Sequence, residues 1–271
     1  MSDPESPSYG LDTTVAHSAR RYNYWLGGKD NFAADRASGD AIAAAFPSIR
    51  FSVRENRAFL RRAIEFLARE AGIRQFLDIG TGLPTADNTH EVAQAVTPQS
   101  RIVYVDNDPI VLVHARALLT SSPAGATAYI DADVRDPDRI LADPSLRSTL
   151  DLSEPVCVVL VAIMHFIDDS EDPYAIVARL VGAMPSGSYL VMSHATYDPM
   201  PPDIVARLKA AIAGTGEKGG PRSRDEFARF FTGLELVEPG IVPVGDWRPT
   251  PGTEVPDPAE VGVYGAVARI P

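Results

Sequence analysis

Three carboxylates stand where the chain could present them to a ligand. Asp78 opens the run Asp78-Ile79-Gly80-Thr81-Gly82, the end of an apolar stretch that turns on a Gly-x-Gly. Glycines in such a turn let a ligand approach the backbone closely. Asp106, followed by Asn107, ends a second apolar run, Arg101 to Val105. A carboxylate there can accept both hydroxyl hydrogens of a ribose in charge-assisted hydrogen bonds. Asp133 and Val134 follow a third run, Thr127 to Ile130. An acidic group at that place can accept from an exocyclic adenine amine while the next backbone N–H donates to a ring nitrogen; Asp131 is the alternative for this role. The dinucleotide fingerprint needs a third glycine, but this chain has Pro84 and Thr85 after its turn, which disfavours a docked pyrophosphate.

Other residue types offer weaker signals. His165, in Met164-His165-Phe166, follows a fourth apolar run. A neutral imidazole there could take a proton from a reacting group, and a packing histidine is the plainer reading. His194 ends a fifth run as a lesser pocket candidate, and the histidines have no metal-site spacing. The single cysteine, Cys157, lies among valines and reads as a small buried hydrophobe. Near the N-terminus, Tyr22, Tyr24 and Trp25 precede Gly27-Gly28-Lys29-Asp30-Asn31. The cluster could be a core patch, but its glycines interrupt any helix, and polar groups among aromatics suit a ligand lid. In that reading residues 15–35 fold over the ligand, with Tyr24, Lys29 or Asn31 reaching it.

These residues need elements to hold them. Ser52 to Ala71 has apolar positions at helical spacing, Phe59, Leu60, Ala63, Ile64, Phe66 and Leu67, with Gly72 placed to end the helix. Strands are expected over 74–79, 101–105, 127–130, 155–163 and 188–193, with helices over 86–96, 109–119, 136–141 and 173–183 between them. That alternation predicts a mostly parallel α/β sheet, which binds ligands at the carboxyl ends of its strands. Further on, 201–213 reads as a helix, and Ser223-Arg224-Asp225-Glu226 as a capping box. Two closing strands, 234–237 (extending toward 244) and 261–270, can pair antiparallel at one edge.

The order of D-x-G-x-G, then Asp106-Asn107-Asp108, then Asp131-Ala132-Asp133-Val134, each after a strand, resembles the class I S-adenosylmethionine-dependent methyltransferases. The block Arg21-Tyr22-Asn23-Tyr24-Trp25-Leu26-Gly27-Gly28-Lys29-Asp30-Asn31-Phe32 resembles the hallmark of an actinobacterial, hence bacterial, S-adenosyl methyltransferase family. The resemblance implies a three-layer Rossmann-like fold: a mostly parallel seven-stranded sheet with an antiparallel edge strand, plus an N-terminal helical cap. It implies S-adenosyl-L-methionine as cofactor. Gly80, Thr81 and Gly82 would pass beneath the methionine part, with Asp78 facing its ammonium. Asp106, beside Asn107, would hold the ribose, Asp133 and Val134 would frame the adenine, and Ala162 and Ile163 would line the pocket. The expected organisation is a disordered tail over 1–12, a cap or lid over 13–72 and an S-adenosylmethionine-binding α/β domain over 73–271.

Composition bounds the partners. The chain of 271 residues carries a formal charge of −11 and is 45% hydrophobic, ordinary for a globular protein. The acidic excess repels phosphate backbones and anionic lipid, so neither nucleic acid nor membrane is expected as a partner. No run approaches the roughly 18 apolar residues of a membrane span, and the polar N-terminus lacks a secretory apolar region. These features favour a reducing, cytoplasmic setting and a small organic methyl acceptor, with His165 as the candidate base. Two other readings stay open: a non-catalytic module that binds S-adenosylmethionine or S-adenosylhomocysteine, and a nicotinamide-dependent oxidoreductase.

Overall fold

Strand β1 (Gln75–Ile79) is buried along its whole length, and every other strand is placed by reference to it. A computed structural model describes residues 12–111, 113, 121–216 and 218–271. The expected tail over 1–12 falls almost wholly outside the described residues. So does most of the expected 109–119 helix, which starts at Pro109 as anticipated.

On one side β1 pairs in parallel with β2 (Arg101–Asp106), which pairs with β3 (Ala126–Asp131). On the other side it pairs with β4 (Cys157–Val161), followed by β5 (Tyr189–Ala195). Strand order therefore reverses between β1 and β4, the switch point at which such sheets bind ligands. β8 (Val263–Arg269) lies antiparallel to β5.

The first of the two expected closing strands, 234–237 extending toward 244, is split in two. Two short pairings, β6 (Glu235–Leu236) and β7 (Val242–Pro243), both lie on β8, giving eight strands rather than seven. Pro239 cannot donate to a ladder, and Gly240 turns the chain at φ +83°, so one continuous strand cannot form there.

Alternation along the strands sorts two cores. Leu77, Ile79, Val103, Val105, Val158 and Leu160 face one, and Phe76, Ile102, Tyr104, Cys157 and Val159 face the other. Cys157 is thus a core residue, and burial pushes its thiol pKa well up. The second core is closed by α3 (Ile49–Arg69), which presents Phe59, Leu60, Ala63, Ile64 and Leu67. Phe59 meets Trp247 edge-on with ring centroids 5.5 Å apart. α3 ends as anticipated: Gly72 sits at φ +76° and the Ile73 N–H closes back on the Leu67 carbonyl at 2.9 Å.

The N-terminal segment forms α1 (Ser18–Trp25) and α2 (Ala33–Ala45). A Cβ on Gly39 would stand 2.9 Å from the Tyr24 ring, so this glycine sets how closely the two helices approach. A third apolar cluster gathers Trp25, Ile42, Phe46 and Val53 with Leu208 of the helix Pro202–Ala213, so segments remote in sequence build it.

Candidate active site

The cavity lies at the carboxyl tips of β1, β2, β3 and β4 and is roofed by α1, α2 and the 202–213 helix. Its volume is about 600 Å³, within the range of small-molecule sites. Asp78, Gly80, Thr81, Gly82, Asp106, Asn107, Asp133, Val134, Ala162, Ile163 and His165 all line it, so ten expected cofactor-contact residues and the candidate base converge.

The β1 tip is held by backbone bonds. Gly80 N–H donates to the Val105 carbonyl at 2.8 Å, and Gly80 and Gly82 take φ +74° and +67°. A Cβ on Gly80 would stand 2.6 Å from the Ile163 side chain, whereas one on Gly82 would meet nothing within 4 Å. The first glycine is therefore needed for packing, and the second leaves open space against the backbone. The helix after the turn starts at Thr89 rather than Ala86, because Asn88 and Glu91 form a capping box and the chain ahead of them stays a loop. Thr89 Oγ1 donates to Asp78 Oδ2 at 2.6 Å.

Asp106 accepts from the Gly82 N–H at 2.8 Å through one oxygen and from the Asp108 N–H at 2.9 Å through the other. Each carboxylate oxygen has two lone-pair positions, so one on each stays available to a ligand. Asn107 Nδ2 donates to Asp133 Oδ2 at 2.8 Å and ties the β2 tip to the β3 tip. Asp133 is also paired with Arg135. Asp131 is exposed and does not line the cavity, which removes it as the alternative to Asp133.

Burial raises the pKa of both inner carboxylates. It lifts Asp78 to about 6, against the lowering effects of the Thr89 hydroxyl and the Arg57 charge. It lifts Asp106 as well, against the two backbone N–H groups. A raised carboxylate gains from a ligand cation or hydroxyl that replaces lost water.

At the β4 tip, Ala162 adopts φ +57°, a strained value for a residue with a Cβ. Its N–H donates to Ser193 Oγ at 3.0 Å, and that hydroxyl donates to Asn56 Oδ1 at 2.6 Å. His165 follows, with a buried Nδ1 that has no protein partner. Burial, with the neighbouring His194 and Arg222, pushes its pKa well down, so its ring is neutral near pH 7. His194 is buried and does not line the cavity. Arg222 Nη1 donates to its Nε2 at 2.9 Å. A guanidinium only donates, so the His194 proton sits on Nδ1, 2.8 Å from the Ala195 carbonyl.

The cap contributes different residues from those expected. Tyr24, Lys29 and Asn31 do not line the cavity. Tyr24 OH donates to Asp40 at 2.7 Å under the Arg50 guanidinium, Asn31 Nδ2 donates to Asn23 Oδ1 at 3.1 Å, and Lys29 is exposed. His17, Arg21, Tyr22 and Asn23 line the wall instead. His17 Nδ1 lies 2.9 Å from Asp108 Oδ2, and the buried Arg20 lies 3.4 Å from Asp35, fastening the cap beside the β2 tip. Asn56 also lines the cavity. Its signal was present in the sequence: it is a polar residue at an apolar-face position, three before Phe59 on α3.

A strand order that reverses at β1 and β4, acidic strand tips and a turn open at Gly82 define a class I methyltransferase architecture. The S-adenosyl methyltransferase family matches residues 4–271, and the chain belongs to that family. It is similar to a DUF574 family protein from Streptomyces avermitilis, at 50% identity and TM-score 0.91 over 96% of this chain and 99% of that one. A crystal structure from Thermobifida fusca is 42% identical with TM-score 0.87, covering 97% and 98%. Mitomycin 7-O-methyltransferase MmcR, at 20% identity and TM-score 0.51 over 82% of this chain and 57% of that one, shares the fold. No curated protein matches the chain. The protein is an S-adenosylmethionine-dependent methyltransferase. Among the described residues no helix is long and apolar enough to cross a membrane.

Proposed function

We propose that this methyltransferase acts in the cytoplasm on a small organic acceptor bound in the same cavity as its cofactor. The observation that carries this reading is the convergence of Asp78, Asp106 and Asp133 with the open Gly82 turn on one cavity. The donor set fits S-adenosylmethionine. Asp78 would face the ammonium, Asp106 the ribose hydroxyls, and Asp133 with the Val134 backbone the adenine; Ala162 and Ile163 would close the pocket beside it. When bound, the cofactor supplies a methyl group already activated on a sulfonium, so the chain's work is positioning and exclusion of water.

α1 would act as the lid over this site. Tyr22 and Trp25 line the cavity from above, and aromatic faces suit a sulfonium cation. His165 would take the acceptor's proton as transfer proceeds; its cavity position and neutral ring support the role. The net charge of −11 supports a small acceptor over nucleic acid.

The test is S-adenosylhomocysteine formation across a panel of small hydroxyl and amine acceptors, with duplex DNA as comparison. Turnover is expected with a panel member and not with DNA. His165→Gln is expected to lower kcat about 100-fold, within the usual range for a general base, while the KM for S-adenosylmethionine holds. Equal binding of S-adenosylmethionine and S-adenosylhomocysteine without turnover of any acceptor would support a binding module instead.

A further inference from the structure

The cavity has two unlike ends. One holds the strand-tip carboxylates. The other is walled by Trp25, Phe46, Val53, Met200, Leu208 and Ile212, contributed by the cap, α3 and the segment around the 202–213 helix.

Polar side chains interleave with this wall and bond within the protein; among them Arg21 donates from Nη1 to Ser38 Oγ at 3.2 Å, with its guanidinium 5.5 Å from the Trp25 ring centroid. Ser52 Oγ donates to the Val261 carbonyl at 2.6 Å. Tyr22 OH donates to the Val53 carbonyl at 3.1 Å and accepts from Asn56 Nδ2 at 3.0 Å. The Asn56 carbonyl oxygen is taken by Ser193, and Trp25 Nε1 donates to the Gly39 carbonyl at 3.1 Å. A charged ligand entering this end would lose its water and meet groups already paired, an unfavourable exchange. An apolar ligand loses nothing there and gains the burial of its surface.

We propose that the methyl acceptor is an uncharged, predominantly apolar molecule. Its body lies between α1, α2 and the 202–213 helix, and its nucleophilic atom reaches toward the β4 tip. The inference rests on the cofactor placement above, because the carboxylate end must be filled for the acceptor to be confined to the apolar end.

The probe is N-phenyl-1-naphthylamine, an uncharged apolar fluorophore, titrated into the full chain saturated with S-adenosylhomocysteine. 1-Naphthalenesulfonate serves as an anionic comparison. Saturable binding of the amine is expected, with the sulfonate at least tenfold weaker. Leu208→Glu is expected to weaken the amine at least tenfold while S-adenosylhomocysteine affinity, read by calorimetry, stays within twofold. Ile212 is only partly buried, so Ile212→Glu carries the same expectation should Leu208→Glu fail to fold.

Equal binding of the two probes would overturn the proposal, as would amine binding unchanged in a folded glutamate variant. If S-adenosylhomocysteine did not bind but the amine still saturated and lost affinity in the variant, the cofactor placement would fall and the apolar chamber would stand.

Discussion

Asp78, at the β1 tip, titrates above the ordinary carboxylate range because of its surroundings. Burial lifts its pKa to about 6, while the Thr89 hydroxyl and Arg57 pull it down and Asp106 pushes it up. The folded protein without ligand therefore holds this proton more tightly than the unfolded chain. That contribution to stability is complete below the unfolded value of about 3.8 and is lost as pH rises through about 6. An ammonium bound to Asp78 needs the carboxylate, so affinity has the opposite slope. The dissociation constant of S-adenosylmethionine is expected to rise about tenfold between pH 7 and pH 5, and Asp78→Asn is expected to bind more weakly and lose most of that dependence. Calorimetric titrations across this window check it. The strand-tip aspartates could be picked out in the sequence because each ends an apolar run. Their pairing could not: the Asn107–Asp133 tie and the Thr89 bond join residues whose distance is set only once the strands align.

At the scale of elements, the cap is fastened by a buried carboxylate. Asp35 accepts from the His17 and Phe32 N–H groups, each at 2.8 Å, and lies beside Arg20. Asp35→Ala leaves those donors and the guanidinium without it, a loss of about 3–5 kcal/mol for a broken buried pair. Faster hydrogen exchange is expected over residues 18–25. In the wild type S-adenosylhomocysteine is expected to slow exchange in the same segment; an unchanged rate would remove the lid role. The Tyr22–Phe32 block showed that something unusual stands there, but not which side chains face the ligand. Two residues apart on a helix point about 200° apart, so when Tyr22 turns inward Tyr24 must turn outward, onto Asp40 and Arg50. The helix expected from Ala86 starts later for a similarly local reason, the Asn88–Glu91 capping box.

At the scale of the molecule, two cores on opposite faces of one sheet hold the strand tips in register. Phe59 links α3, the sheet and Trp247, and is fully buried. Phe59→Ala is expected to cost about 3–5 kcal/mol in denaturant unfolding, the usual range for an aromatic removed from a packed core. The parallel half of this sheet was legible because its apolar runs are long and alternate with helices. The far edge was not, because pairings as short as β6 and β7 carry no periodicity of their own and depend on β8 to form. This framework brings together strand tips remote in sequence, which under the proposed function hold one cofactor. Calorimetric titration of S-adenosylmethionine into wild type and Asp106→Asn checks that shared grip. The expected loss is about 1.5–3 kcal/mol, roughly 10- to 150-fold in affinity, with the fold retained. An unchanged dissociation constant would contradict it.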